Sequence, residues 1–90
     1  MDQSNKPEIA RRLMELAAEQ AGVDVAEITP ATHFRNDLNF DSLDEVEYAM
    51  SVEDEFEVSV KDDEAAERFK TVEDVVEFVV GEKGGEGRPA

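Results

Sequence analysis

Residues 41–56 read DSLDEVEYAMSVEDEF, and on a helix the apolar residues of this stretch fall into two stripes on nearly opposite sides. Tyr48, Ala49, Val52 and Phe56 share one side, while Leu43, Val46 and Met50 follow i, i+3, i+7 spacing on the other. A surface helix needs only one buried stripe. The second stripe is interleaved with Glu47, Glu53 and Asp54, whose carboxylates are expensive to bury without partners. The core therefore takes Tyr48, Ala49, Val52 and Phe56, leaving Leu43, Val46 and Met50 at the surface. Glu45 falls near the core side, so it must reach solvent at the edge or find a partner.

Local chemistry sets where this helix begins. The Asp41 carboxylate can cap free backbone N–H groups, and Asp44 adds negative charge at the positive helix end. Upstream, Pro7 suits a first helical turn, and Ile9, Leu13, Leu16 and Ala17 recur at helical spacing up to Gly22. The segment VDVAEITPATHFRNDLNF loses that period and contains Thr29-Pro30, which reads as a long ordered loop anchored by Val25, Ile28, Phe34 and Leu38.

Beyond Phe56, EVSVK reads as an extended connector, and Asp62 or Asp63 can cap a short helix through Ala65, Ala66 and Phe69. Thr71 with Asp74 forms a capping-box pattern ahead of Val72, Val75, Val76 and Val79 at helical spacing, with Gly81 as the stop. The valines of VVEFVV would also suit a strand, but the spacing favours a helix. The expected fold is all-α, a small antiparallel bundle of three main helices plus one short helix, with a long first loop. Residues 1–80 form the bundle, and 81–90 are a flexible Gly-rich tail. A chain of 90 residues has room for one core and buries only about 60% of its unfolded surface.

Charge narrows the function. With 24 Asp and Glu against 9 Lys and Arg the net charge is -15, which argues against phosphate-backbone binding and for partners with basic surfaces. From Asn36 to Val60 there are nine acidic residues and no Lys or Arg, so the exposed Leu43, Val46 and Met50 lie in a carboxylate field. Such a surface suits docking: charge steers a basic partner and the apolar side chains supply contact energy. The absence of cysteine excludes disulfides and thiolate metal sites. No apolar run reaches membrane length, and MDQSNKPEIA lacks the basic and apolar regions of a signal peptide, so the expectation is a soluble protein, a monomer with the cytoplasm as default and an organelle matrix left open.

Two features imitate other chemistries. The run DLNFDSLDEVEY places Asp37, Asn39 and Asp41 where a calcium loop has its first ligands. Its sixth position is Ser42 where the turn wants Gly, and its twelfth is Tyr48 where a bidentate Glu is needed, so no metal site is expected. His33, the sole histidine, flanks Phe34 in a loop and reads as a surface or packing residue. Ser42 has no nearby histidine to activate it, which makes a catalytic serine a poor reading and no enzyme the expectation.

Taken together, Phe34, Asp37-Leu38, Asp41-Ser42-Leu43-Asp44, Val46, Glu47, Met50, the Glu53 to Phe56 run and a Thr-capped last helix resemble the acyl carrier proteins of type II fatty acid and polyketide synthesis. The resemblance covers all but about the last ten residues. It implies that Ser42 is esterified by 4′-phosphopantetheine, transferred from coenzyme A by a separate phosphopantetheinyl transferase, and that the thiol of this arm carries acyl chains as thioesters. It further implies that Asp41, Leu43, Asp44, Val46, Glu47, Met50, Glu53 and Asp54 dock against basic surfaces of the transferase, ketosynthases and acyltransferases. The opposite stripe, with Ile9, Leu13, Phe34, Val72 and Val76, would line the core that accommodates the acyl chain.

Two residues depart from the family pattern. Asn39 stands where Gly is usual, and Asn tolerates left-handed backbone better than most residues. Phe40 stands where smaller residues are commoner, with its ring expected beside Ser42, where it would shield the arm or narrow the set of enzymes that dock. A peptidyl carrier fits less well, because that group typically has His where this chain has Asp41. The alternative from another class is an unmodified acidic helical adaptor that binds a basic protein.

Overall fold

The computed structural model describes residues 6–60 and 68–84. Among them the order is α1 (Lys6–Ala21), a 3-10 turn (Val25–Glu27), α2 (Ser42–Phe56) and α3 (Val72–Gly84). The α1 helix packs against both α2 and α3, so the domain is an all-α bundle, as the periodicities predict. Ile9, Leu13, Leu16 and Ala17 of α1 are buried, and they meet Tyr48, Ala49 and Val52 from α2 and Val72, Val75, Val76 and Val79 from α3 in one core. Gly22 closes α1 with φ at 75°, a conformation that costs glycine little. The Val23 N–H reaches back 3.0 Å to the Ala18 carbonyl, the bond that satisfies a helix end of this kind.

The long loop is held by helix α3. At the start of α3 the Val72 N–H donates to the Thr32 carbonyl at 3.1 Å and the Glu73 N–H to the Pro30 carbonyl at 2.8 Å. Thr71 and Asp74 complete the end as a capping box: Asp74 N–H donates to Thr71 Oγ1 at 3.3 Å and Thr71 N–H to Asp74 Oδ2 at 3.0 Å. Backbone donors that a helix start leaves orphaned thus become the anchor of the loop. Ile28 and Phe34 are buried as expected and Leu38 is half-buried. Val25 is not an anchor. The 3-10 turn capped by Asp24, whose carboxylate accepts from the Ala26 N–H at 3.1 Å, leaves Val25 40% exposed and hands the buried place to Ile28.

Two further expectations change. Phe40 does not stand beside Ser42 as a shield: it is 4% exposed and stacks on Phe34 with centroids 5.4 Å apart, while Tyr48 meets it edge-on at 6.1 Å. The cause is Asn39, which takes φ of 61° and reverses the chain so that the Phe40 N–H donates to the Phe34 carbonyl at 3.0 Å and the ring turns inward. Gly81 does not stop α3, which continues to Gly84. A helix-interior glycine costs about 1 kcal/mol relative to alanine, too little to end a helix already paired through the core. The short helix expected through Ala65 and Ala66 lies outside the described residues. Phe69, also named in that expectation, is buried and packs edge-on against Phe78 at 5.3 Å.

Candidate functional site

The start of α2 is built by reciprocal caps. Asp41 is the N-cap: its Oδ1 accepts from the Asp44 N–H at 2.9 Å, while Asp44 Oδ2 accepts from the Asp41 N–H at 3.2 Å. The bond donated by the Asp44 backbone holds the Asp41 carboxyl below its ordinary value of 3.8. Ser42 follows as the first residue of the helix, with its side chain exposed. The preceding loop is equally fixed: Asp37 accepts from the His33 N–H at 2.8 Å, and the Asp37 N–H donates to the His33 carbonyl at 2.8 Å. Asp37 and Asp41, which imitate calcium ligands in the sequence, both serve as local backbone caps. His33 is half-buried, and its Nδ1 accepts from the Asn36 N–H at 3.2 Å, a packing role.

Glu45 has found its partner. Arg35 meets it with both ends of a fork, Nε to Oε2 at 2.7 Å and Nη2 to Oε1 at 3.1 Å, and the Glu45 side chain is only 10% exposed. The hydrogen bond to Glu45 raises the Arg35 pKa further above its ordinary value. The same Nη2 lies 3.5 Å from Ser42 Oγ, which makes Arg35 the cation beside the exposed serine. Sequence reasoning passed over Arg35. The signal was present in the demand that Glu45 be partnered, but the path of the loop that brings residue 35 to it is not written in any periodicity.

The outer side of α2 carries the apolar stripe at the surface: Leu43 is 63% exposed, Met50 58% and Val46 37%. Asp41, Glu47 and Asp54 are exposed around it, while Asp44 and Glu53 are half-buried. Gln20 of α1 donates to Asp44 Oδ1 at 3.1 Å and Glu47 Oε1 at 2.8 Å, and Glu53 Oε2 accepts from the Val60 N–H at 2.7 Å. Asp44, Glu47 and Glu53 are therefore oriented by the fold, and Asp54 stands in solvent with no such bond among those described. On the inner side Phe34, Phe40 and Tyr48 form a cluster, with Phe34 and Tyr48 centroids 5.0 Å apart. No helix among the described residues is long and apolar enough to cross a membrane.

The structure thus has an exposed serine opening an acidic, two-sided helix in a small all-α bundle. The family model described as a phosphopantetheine attachment site matches residues 11–79. The acyl carrier protein of Thermosynechococcus vestitus is 44% identical over 75 residues, spanning 83% of this chain and 91% of that one. That of Rubrobacter xylanophilus is 43% identical over 76 residues, spanning 84% and 93%. In fold, the chain is similar to the NMR structure of the HMG-ACPI domain from the CurA module of Lyngbya majuscula, with a TM-score of 0.84, 22% identity, and 98% and 87% of the two chains covered.

The chain belongs to the acyl carrier proteins, the family built around a phosphopantetheine attachment site. It is a carrier of acyl groups and not a catalyst, and its cofactor is covalently attached 4′-phosphopantetheine. The residues present fit that group: a hydroxyl free of structural duty stands at the surface with a guanidinium next to it.

Proposed function

We propose that Ser42 is the residue that bears 4′-phosphopantetheine and that the outer side of α2 presents the loaded arm to basic enzyme surfaces. The observation that carries this reading is the placement of Ser42, exposed as the first residue of a capped acidic helix within the matched span. The Ser42 hydroxyl makes no hydrogen bond to a histidine or carboxylate among the described residues, so a base from the transferase must take its proton. The arm supplies a terminal thiol for thioester chemistry, and the protein supplies position and recognition.

Recognition falls to Asp41, Leu43, Asp44, Val46, Glu47, Met50, Glu53 and Asp54. The carboxylates raise the encounter rate with a basic surface, and the exposed Leu43 and Met50 contribute the contact that holds it. The partners of this reading are a phosphopantetheinyl transferase and the ketosynthases and acyltransferases of fatty acid or polyketide synthesis, engaged by a cytoplasmic monomer. Intact-protein mass after incubation with coenzyme A, magnesium and a broad-specificity transferase tests the attachment. A single phosphopantetheine addition to the wild type and none to folded Ser42→Ala is expected. Equal addition to both would move the site elsewhere, and no addition to either would favour an unmodified adaptor.

A further inference from the structure

A phosphodiester on Ser42 would enter a crowded field of like charge. Asp41, Asp44, Glu45 and Glu47 all lie within five residues of it in sequence. The helix end offers less relief than usual, because the Asp44 N–H is already donated to the Asp41 carboxylate at 2.9 Å. An anion in that position needs a cation, and the fold supplies one. Arg35 is aimed by its two bonds to Glu45, and its Nη2 stands 3.5 Å from Ser42 Oγ, too long for a strong hydrogen bond to the hydroxyl itself. An oxygen on a phosphorus joined to Oγ lies two bonds further out and closes that gap. Arg35 Nη1 has no partner among the described residues, which leaves a second donor on the same planar group.

Arg35 also borders a surface cleft of about 470 Å³ lined by His33, Asn36, Glu45, Phe69 and Lys70. The cleft gathers Arg35 and Lys70 in a chain with only 9 basic residues, and none of Leu43, Val46 and Met50 lines it. Phe69 gives it an apolar wall.

We infer that Arg35, braced by Glu45, pairs with the phosphodiester on Ser42 and lays the resting arm across the cleft of His33, Phe69 and Lys70, clear of the Leu43, Val46 and Met50 stripe. This rests on Ser42 being the attachment point. In this arrangement Arg35 is a positioning residue: it holds the arm aside while the outer side of α2 meets an enzyme, and a competing cation on that enzyme releases it.

The test uses the full chain, isotope-labelled, before and after loading from coenzyme A, with the modified residue located by mass spectrometry. Loading is expected to shift the Arg35 Nε–H resonance and to produce Overhauser contacts between the pantetheine methyl groups and the Phe69 ring. In a loaded Arg35→Met, Glu45→Gln double variant, which leaves no unpaired charge at position 45, the phosphorus resonance should move to that of a solvent-exposed serine phosphodiester and the Phe69 contacts should vanish. Arg35→Lys, which keeps the charge but loses the fork, should retain them only in part. An Arg35 resonance unmoved by loading of the wild type at Ser42 overturns the inference alone, and so does a phosphorus resonance identical in wild type and double variant. Modification at another residue, or none, overturns the Ser42 reading and this inference with it.

Discussion

The Tyr48 hydroxyl of α2 donates a 3.0 Å hydrogen bond to the Leu13 carbonyl oxygen in the middle of α1, joining the helix that carries the serine to the helix at the centre of the bundle. The phenol is 3% exposed, and burial pushes its pKa above the ordinary 10.0. Tyr48→Phe keeps the ring contacts with Phe34 and Phe40 and removes only this bond, at a cost of about 1 kcal/mol. Thermal denaturation should show a melting temperature lower by roughly 4–8 °C.

The same residue reports on alkaline unfolding, because it is the only tyrosine. A phenol whose folded pKa is raised binds its proton more tightly in the native state, so its contribution is present below 10.0 and is lost as pH rises past that value. Phenolate absorbance should therefore appear together with loss of helical circular dichroism. Absorbance rising at pH 10 with the helices intact would contradict the burial.

Phe40 is a core residue, and that position makes a prediction opposite to one for a surface shield. Phe40→Ala should cost about 3–5 kcal/mol, against a total of roughly 5–15 for a domain. Denaturant titration reads it directly, and a near-neutral result would place the ring outside the aromatic cluster.

Asp41→Asn retains a capping oxygen and loses the charge. The hydrogen bond from the Asp44 backbone lowers the Asp41 pKa below 3.8, so its ionised form stabilises the native state above that value, and the contribution disappears as pH falls through the lower native value. The variant should melt below the wild type at neutral pH, and the difference should shrink as pH drops beneath 3.8. A difference independent of pH would assign the effect to the shape of the cap alone.

Leu43→Ala and Met50→Ala should each leave stability within about 0.5 kcal/mol, since both side chains are more than half exposed. Each should weaken association with a basic partner enzyme by about tenfold, the effect of losing a contact of roughly 1.4 kcal/mol. Binding measured by calorimetry beside denaturant melts separates the two effects. Equal losses in both would show that the stripe belongs to the core.

What the sequence revealed was mostly local. The spacing of Ile9, Leu13, Leu16 and Ala17, and of Val72, Val75, Val76 and Val79, declares a helix because burial repeats with the turn. The Asp41 cap and the reciprocal cap of Thr71 with Asp74 were legible for the same reason, since each needs only four consecutive residues, whereas Asp44, read only as a charge, also returns a bond to the Asp41 N–H. The exposure of Ser42 and of the Leu43, Val46 and Met50 stripe was legible as well. The parts missed depend on where a loop goes. Val25 turns outward because a 3-10 turn intervenes, Phe40 turns inward because Asn39 reverses the chain, and Arg35 reaches Glu45 only after that reversal. None of these follows from a period.

The two sides of α2 also bear on how such a protein changes over time. Tyr48, Ala49 and Val52 answer to packing alone, whereas Leu43, Val46 and Met50 contribute little burial. Because the two sets alternate along fifteen residues without sharing a position, the outer letters can be rewritten while the letters that keep the chain folded stay untouched. One short helix thus holds two independent texts, and on the proposed docking reading a carrier acquires a new partner by editing only one of them.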